Sequence, residues 1–330
     1  MKKYARAVTL SVTAVFGSLL VGTHAVDAQS YPTKPIRLVV PAAAGGPTDA
    51  IARMVAESMS RGLGQPVVVE NIGGAGGTIG MGRVAKSPAD GYTVAVWHIA
   101  QATAPSLYNN LQYNVVDDFE SIGRIADAPM TVVGKKGLAP GNIAELVGWL
   151  QQQQEKAVYG HAGTGSASHL CALMFLSAIK AKPTALPYRG TGPAMADLLG
   201  GQFDFMCDQT TNTTPQIKNS AIKAYAATTK KRLSVFPDLP TLQESGYKDF
   251  EVAAWHAMWA PKGVPEAALT RLRAELQKAL KDKAVIERLA KLGVEPVPAA
   301  QQGPEPLAAH LKAEVESWAK VIKEAGVTAN

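Results

Sequence analysis

The sequence predicts an α/β protein whose chain forms two lobes joined by two crossovers. Three observations support this fold class. Short β-branched segments alternate with amphipathic helical segments, which is typical of parallel sheets covered by helices. The alternation starts again after Pro129, which indicates a second lobe. Amphipathic helices near the C-terminus need a surface to cover, and we place them back on the first lobe.

The first 28 residues have the pattern of a secretory signal peptide. Lys2, Lys3 and Arg6 form a basic start, and an uncharged apolar run follows from residue 7 to residue 21. The segment Val26-Asp27-Ala28 supplies the small residues that a signal peptidase reads, so we predict cleavage after Ala28. A membrane anchor is the alternative, but the run is shorter than the ~20 residues that a spanning helix needs. The sequence therefore predicts export to the periplasm.

The composition is that of a globular protein. Of 330 residues, 47% are hydrophobic and 18% are charged, which excludes a disordered chain and is enough for two domains. The formal net charge is +6, and the predicted signal carries three basic residues and one acidic residue, so the mature chain would carry +4. This mild basicity does not indicate nucleic acid, and we expect a monomer without a nucleic-acid partner. Cys171 and Cys207 fit a disulfide and two buried thiols equally well.

The first lobe is predicted to contain residues 29–128 and 253–330. In chain order its first elements are a strand at 36–40, a helix at 48–63, a strand at 67–69, a helix after the glycine cluster Gly73–Gly77 and a strand at 93–97. The glycine cluster lacks the Gly-Lys-Ser/Thr of a phosphate-binding loop and the spacing of a dinucleotide-binding loop. We therefore interpret it as a tight turn before a helix.

The second lobe is predicted to contain residues 129–252. Its elements are a strand at 130–133, a helix after a capping Asn142, a strand at 158–160, a helix through Cys171 and Phe175, and strands near 184–186, 203–207 and 222–227. Because the first lobe resumes afterwards, crossovers are expected near 127–130 and 250–255. A strand at 255–260, a helix at 265–281 and a last helix follow. That last helix carries an apolar stripe, formed by Leu307, Leu311, Val315, Trp318 and Ile322.

Three segments share one form, in which a strand leads through small residues into the start of a helix. They are residues 41–49, 162–169 and 188–193. The first N–H groups of a helix lack intrahelical partners and carry partial positive charge, so such loops attract anions. Because the loops come from both predicted lobes, they indicate a shared anion site. The candidate ligand-binding residues are Gly45, Gly46, Pro47, Thr48, Gly165, Ser166, Thr191 and Gly192.

Catalytic and metal sites are not favoured by the motifs. There is no Gly-x-Ser-x-Gly elbow, no His-Glu-x-x-His and no Cys-x-x-Cys. Asp49 stands at a helix start, where capping is the preferred interpretation. We expect no enzymatic activity, no metal and no cofactor. A periplasmic hydrolase that uses Ser166 or Ser168 with His169 is the alternative, and a protein that presents its ligand to a sensor is a further one.

With these segments in place, the sequence resembles the Bug family, the periplasmic receptors of tripartite tricarboxylate transporters. The resemblance covers essentially all of the mature chain and is closest to the branch that contains an aspartate-binding member. The motifs that carry it are Tyr31-Pro32, Gly45-Gly46-Pro47-Thr48-Asp49, Val69-Glu70-Asn71, Gly73–Gly77, Asp90-Gly91-Tyr92-Thr93, Gly163-Thr164-Gly165-Ser166, Tyr188-Arg189-Gly190-Thr191 and Asp208-Gln209-Thr210-Thr211.

The resemblance implies a type II periplasmic-binding-protein fold that closes like a Venus flytrap on a small carboxylate. The expected ligand is an amino acid, a di- or tricarboxylate or an aromatic acid, and the expected partners are the transporter's membrane subunits. Asp208 and Gln209 could accept hydrogen bonds from a ligand ammonium, and Trp97 could stack on an aromatic acid. Gln101 departs from the branch, which often has His there, so we expect it in a distal pocket that differs. Arg189 could bind the carboxylate of the ligand instead of the backbone N–H groups, and an ion pair with another residue is the alternative role for it.

Overall fold

The computed structural model describes residues 31–325, so the predicted signal peptide lies outside the described residues. The chain begins with alternating strands and helices, as predicted. In order they are β1 (Ile36–Val40), α1 (Pro47–Leu63), β2 (Val67–Asn71), α2 (Thr78–Ala85), β3 (Thr93–His98), α3 (Ala100–Leu107) and β4 (Phe119–Lys135). β1 pairs in parallel with both β2 and β3. The predicted first strand has the observed bounds, because Pro41 ends a run of buried β-branched and leucine side chains.

The middle of the chain repeats the alternation. Its elements are α4 (Ile143–Gln153), β5 (Val158–His161), α5 (Ala167–Ile179), β6 (Thr184–Pro187), α6 (Thr191–Leu199), β7 (Phe205–Gln209), α7 (Thr210–Lys218) and β8 (Ile222–Ala227). β5 pairs in parallel with β6 and β7. Asn142 caps α4 as predicted, because its side chain accepts a hydrogen bond from the backbone N–H of Glu145 at 2.9 Å.

The last part of the chain returns to the first strands. It contains β9 (Ala253–Pro261), α8 (Glu266–Ala279), α9 (Lys283–Lys291), β10 (Glu295–Pro296) and α10 (Pro304–Ala325). β9 lies between β3 and β4 and is antiparallel to both. α8 and α9 pack on α1, and α10 packs on α3 and β4. The apolar stripe of α10 is buried at Leu307, Leu311, Trp318 and Ile322.

The long strand β4 connects two groups of strands. Its residues up to Pro129 pair with β9, and its residues from Met130 onward pair with β7 and β8. We call β2-β1-β3-β9-β4 the first subsheet and β4-β7-β5-β6 the second. The sequence predicted only residues 130–133 as a strand, because Pro129 and the polar residues before it interrupt the β-branched pattern. The proline lies where the pairing partner of β4 changes. The division into two lobes at residues 129 and 252 stays a prediction.

Two further elements differ from the sequence prediction. α3 was not predicted, because its sequence, AQATAPSL, includes an internal Pro105 and lacks a clear apolar stripe. α9 was also not predicted as a separate helix. Within residues 31–325, no helix is both long and apolar enough to span a membrane. Cys171 on α5 and Cys207 on β7 form a disulfide, which answers a question that the sequence left open.

Candidate ligand-binding site

A cleft of about 380 Å³ opens at the carboxyl ends of strands from both subsheets. This is the size of a small-molecule site and the edge of the sheet where α/β proteins bind ligands. Seven of the residues predicted to bind ligand line it, namely Gly46, Pro47, Thr48, Trp97, Ser166, Thr191 and Gln209.

Four helices begin at this cleft. The N-cap residues are Gly46 for α1, Ser166 for α5, Gly190 for α6 and Gln209 for α7, and each of them lines the cleft. The first turn of each helix carries N–H groups without intrahelical partners and a partial positive charge. Among the described lining residues, Arg189 alone carries a formal charge at neutral pH. The cleft is therefore electropositive, and its chemistry suits an anion.

The loops of the two subsheets touch each other at one end of the cleft. The backbone N–H of Ala43 donates to the carbonyl of Arg189 at 3.2 Å. Gly192 lies so close to the first loop that a Cβ there would stand 3.0 Å from the Ala44 carbonyl oxygen. A Cβ on Gly46 would stand 3.6 Å from the Gly192 nitrogen, which is ordinary contact distance. These two loops thus meet in close contact at this end of the cleft.

The glycine cluster forms another wall of the cleft. Its Gly74–Gly77 segment lines the cleft, and a Cβ on Gly76 would lie 2.5 Å from the Thr164 carbonyl oxygen. The hydroxyl of Tyr108 donates to that same carbonyl at 3.0 Å. The ring of Trp97 packs directly against Gly77. Interpreting the cluster only as a tight turn missed this role, since nothing local reveals which surface a turn faces.

Asp49 holds the first loop in place from behind. Its carboxylate accepts hydrogen bonds from the backbone N–H of Gly45 and from the side chains of Arg53 and Asn71, each at 3.0 Å. Burial would raise the pKa of Asp49, but these hydrogen bonds outweigh it and lower the pKa below its usual value. Asp49 does not line the cleft, and its role is structural, but it does not cap α1, whose N-cap is Gly46 without a side-chain cap hydrogen bond.

Thr48 is positioned by a buried histidine. Its Oγ1 lies 3.1 Å from Nε2 of His256 on β9, and both residues are buried. Burial lowers the pKa of His256 to about 3, so the ring is neutral at ordinary pH. This contact orients the Thr48 hydroxyl at the start of α1. The pairing was not foreseen, because 208 residues separate the two side chains.

Ser166, Ser168 and His169 do not form a catalytic relay. The Nδ1 atom of His169 accepts from the backbone N–H of Gly165 at 3.1 Å, and the hydroxyl of Ser168 accepts from the backbone N–H of Ala162 at 2.8 Å. Ser166 caps α5 through the backbone N–H of His169. Burial and the neighbouring His161 lower the pKa of His169 to about 3. These side chains build the loop, and none of the hydrogen bonds among described residues joins a serine hydroxyl to a histidine ring nitrogen here.

The remaining predicted ligand residues lie behind the cleft surface. Gln101 is fully buried in α3, where its Nε2 donates to the Val115 carbonyl at 3.3 Å. Asp208 is fully buried, and its Oδ2 accepts from Nδ2 of Asn212 at 2.6 Å. Gly45, Gly165 and Gly192 do not line the cleft either but shape its loops. The expectation that Gln101 would stand in a distal pocket is not met here, because α3 turns its side chain inward.

Arg189 lines the cleft at its exposed rim. It forms no ion pair with any residue in the range 31–325, so the ion-pair role considered for it is not observed. Sequence reasoning missed Tyr108 as a lining residue, and it singled out the segments that contain His98 and Tyr188 without naming either as a ligand-binding residue. For His98 a signal was available, since it directly follows Trp97 at the end of a strand.

Comparison with known proteins identifies the family of this chain. Residues 51–327 match a family model described as tripartite tricarboxylate transporter family receptor, TctC. The periplasmic binding protein BugD is 49% identical with a TM-score of 0.89, and the match covers 91% of this chain and 100% of BugD.

Two similar structures contain a ligand. MatC from Rhodopseudomonas palustris, solved with bound malate, is 35% identical with a TM-score of 0.85, covering 88% of this chain and 100% of that one. An R. palustris protein solved with adipate is 32% identical with a TM-score of 0.85, and the match covers 90% of this chain and 99% of that one. The resemblance to Bug receptors is confirmed, and so is the α/β periplasmic-binding-protein fold. The chain belongs to the TctC family of tripartite tricarboxylate transporter receptors and is a binding protein, not an enzyme.

Proposed function

We propose that this receptor is exported by its signal peptide and, as a monomer in the periplasm, captures a small dicarboxylate for the membrane subunits of a tripartite tricarboxylate transporter. The observation that carries the proposal is the convergence of four helix starts on one cleft. An anion held there needs no buried counter-charge, because backbone N–H groups are already unpaired and oriented. The malate and adipate bound by the two relatives favour a dicarboxylate.

Calorimetric titration tests the ligand class. The panel contains malate, succinate, adipate, citrate, aspartate, nicotinate and benzoate, with a neutral sugar as the control. We expect a dicarboxylate to bind most tightly and the sugar not to bind. Tightest binding of aspartate would favour the amino-acid alternative, and tightest binding of nicotinate or benzoate would favour stacking on Trp97. Binding of the sugar without any acid would refute the carboxylate proposal.

The anchor of the carboxylate is tested by Gly46→Ala. A Cβ fits at this position without a clash, but it would lie against the nitrogen of Gly192 and keep the ligand from the backbone N–H groups. Lost hydrogen bonds to a charged group are worth about 1.5–3 kcal/mol each, so we expect affinity to fall by roughly tenfold or more. Gly148→Ala, on α4 with open space around it, is the matched control and should bind as the wild type.

Arg189→Ala separates the backbone anchor from a salt bridge. Because Arg189 is exposed at the rim, we expect a smaller loss of affinity than with Gly46→Ala. The opposite order would make Arg189 the anchor. Gly165 is unsuitable for this test, since a side chain there would collide with Leu107 and disturb the fold.

A further inference from the structure

His98 is a polar residue of the cleft that the anion site described above does not use. It stands at the end of β3, borders the cleft and is only 5% exposed. Its side chain lies on the α1 side of the sheet, beside His256 of the neighbouring strand β9, with 5.8 Å between the ring centroids. Trp97 stacks on it at 3.8 Å. The ring is therefore held in one orientation at the wall of the cleft.

One hydrogen bond determines both the charge and the tautomer of His98. The backbone N–H of Ala100 donates to its Nδ1 at 3.1 Å. A backbone N–H can only donate, so Nδ1 carries a lone pair, which an imidazolium lacks. The ring is consequently neutral, with its proton on Nε2. Burial and the neighbouring His256 act in the same direction and lower the pKa of His98 well below 6.5.

Nε2 is left as a donor without a protein partner. Within the described residues, the hydrogen bond of the His98 ring is the one that Nδ1 accepts. Nε2 is not one of the fully buried side-chain atoms without a partner, so it is accessible, and His98 lines the cleft. A donor that faces the cleft without a protein partner is free to bond to a molecule there.

We propose that His98 is a ligand-binding residue that determines specificity, because its Nε2–H donates to an oxygen atom of the bound acid. A neutral N–H group accepts nothing, so this position selects a carboxylate or hydroxyl oxygen and disfavours an ammonium group, which offers only donors. The inference rests on the proposed function and narrows it to acids that place an oxygen atom, not an ammonium group, beside Nε2.

Titration of His98 variants with malate, succinate and adipate tests the inference. His98→Phe keeps a planar ring but has no donor, and we expect at least tenfold weaker binding of the acid that the wild type binds best, or about 1.4 kcal/mol. His98→Gln can place an amide N–H near the position of Nε2, and we expect affinity within roughly threefold of the wild type. The matched control is His310→Phe, because His310 lies on α10 beside Trp255 and away from the cleft. This variant should bind the acid with the affinity of the wild type.

Nitrogen-15 NMR of the histidines in the wild-type protein gives a second readout that a merely structural role would not move. We expect the His98 signal to show a protonated Nε2 whose proton shifts when malate, or the acid that binds best, is saturating. Unchanged affinity in His98→Phe, or an unmoved Nε2–H signal, would overturn the inference while leaving the proposed function intact. Failure of the wild type to bind any acid would instead overturn the proposed function, and the inference with it.

Discussion

Asp208 shows at the scale of a single residue what burial beside the cleft does to a charge. The side chain is fully buried at the end of β7, and among the residues that the structure describes its Oδ2 atom has Asn212 as partner while its Oδ1 atom has none. Burial raises the pKa of Asp208 from 3.8 to about 7, although the hydrogen bond from Asn212 opposes the shift. Near neutral pH, Asp208 is therefore protonated and uncharged in many of the protein molecules, which makes it a poor acceptor for a ligand ammonium.

Asp208→Asn should change how stability depends on pH. Between pH 3.8 and about 7 the folded wild type holds a proton that the unfolded chain releases, so this group makes stability fall as pH rises through that range. Asparagine keeps the shape and cannot ionise. We therefore expect the variant to have a higher Tm than the wild type at pH 8. Its Tm should also decrease less than that of the wild type between pH 4 and pH 7, as measured by thermal unfolding.

The exposed Asp238→Asn is the control and should follow the wild-type profile. A variant of Asp208 whose Tm falls with pH as steeply as that of the wild type would show that this carboxyl does not titrate in the folded protein within the range.

The disulfide is the clearest feature at the scale of elements. It ties α5 to β7, and its cysteines are 36 residues apart in the sequence with 5.9 Å between their Cα atoms. Closing a loop of this length reduces the conformational entropy of the unfolded chain. In the chain-entropy model this destabilises the unfolded state by about 4 kcal/mol. The variant Cys171→Ser/Cys207→Ser should therefore lose about 2–4 kcal/mol of unfolding free energy in urea titrations.

A reducing agent provides the internal control for this prediction. It should lower the stability of the wild type toward that of the double variant and leave the double variant unchanged. Equal stability of both proteins under oxidising conditions would mean that the bond does not form in solution or does not stabilise the fold.

At the scale of the whole molecule, contacts across the cleft indicate a closed arrangement. Besides the Ala43–Arg189 hydrogen bond, Tyr108 donates to the Thr164 carbonyl, and Thr103 donates to the Gly165 carbonyl at 3.2 Å. If residues 129–252 form one lobe and the remainder the other, these contacts break when the lobes separate. A ligand held by both sides would favour closure through its higher affinity for the closed form.

Small-angle X-ray scattering should therefore show a smaller radius of gyration at saturating ligand than without ligand. Tyr108→Phe removes one contact across the cleft and should weaken binding by a few-fold, because the closed form loses a hydrogen bond of about 1 kcal/mol. Tyr225→Phe is the matched control, since Tyr225 donates to the Pro140 carbonyl at 3.1 Å within the second half of the fold. Identical scattering profiles with and without ligand would contradict hinge closure.

Local patterns were enough to predict most elements and the glycine-rich loops that lead into helices at the cleft. The bounds of β1, the cap at Asn142 and the glycine-rich starts of α1, α5 and α6 depend on residues that are neighbours in the chain. Such features follow from backbone conformation and from N–H groups that every helix start leaves unpaired. The function class followed as well, because the same residues carry the family resemblance.

The composition of the cleft depends instead on long-range pairing. β9 brings His256 beneath Thr48 and beside His98, and β4 extends through Pro129 because β9 pairs with residues whose own sequence is weakly β-like. The same packing turned Gln101 inward and brought the Gly73–Gly77 turn into the cleft. Sequence periodicity reports which face of an element is apolar, but the partner of that face is chosen by the energy of the assembled fold. For this reason the loops and seven of the lining residues could be predicted from the chain, whereas the Thr48–His256 contact, the lining role of Tyr108 and the inward turn of Gln101 could not.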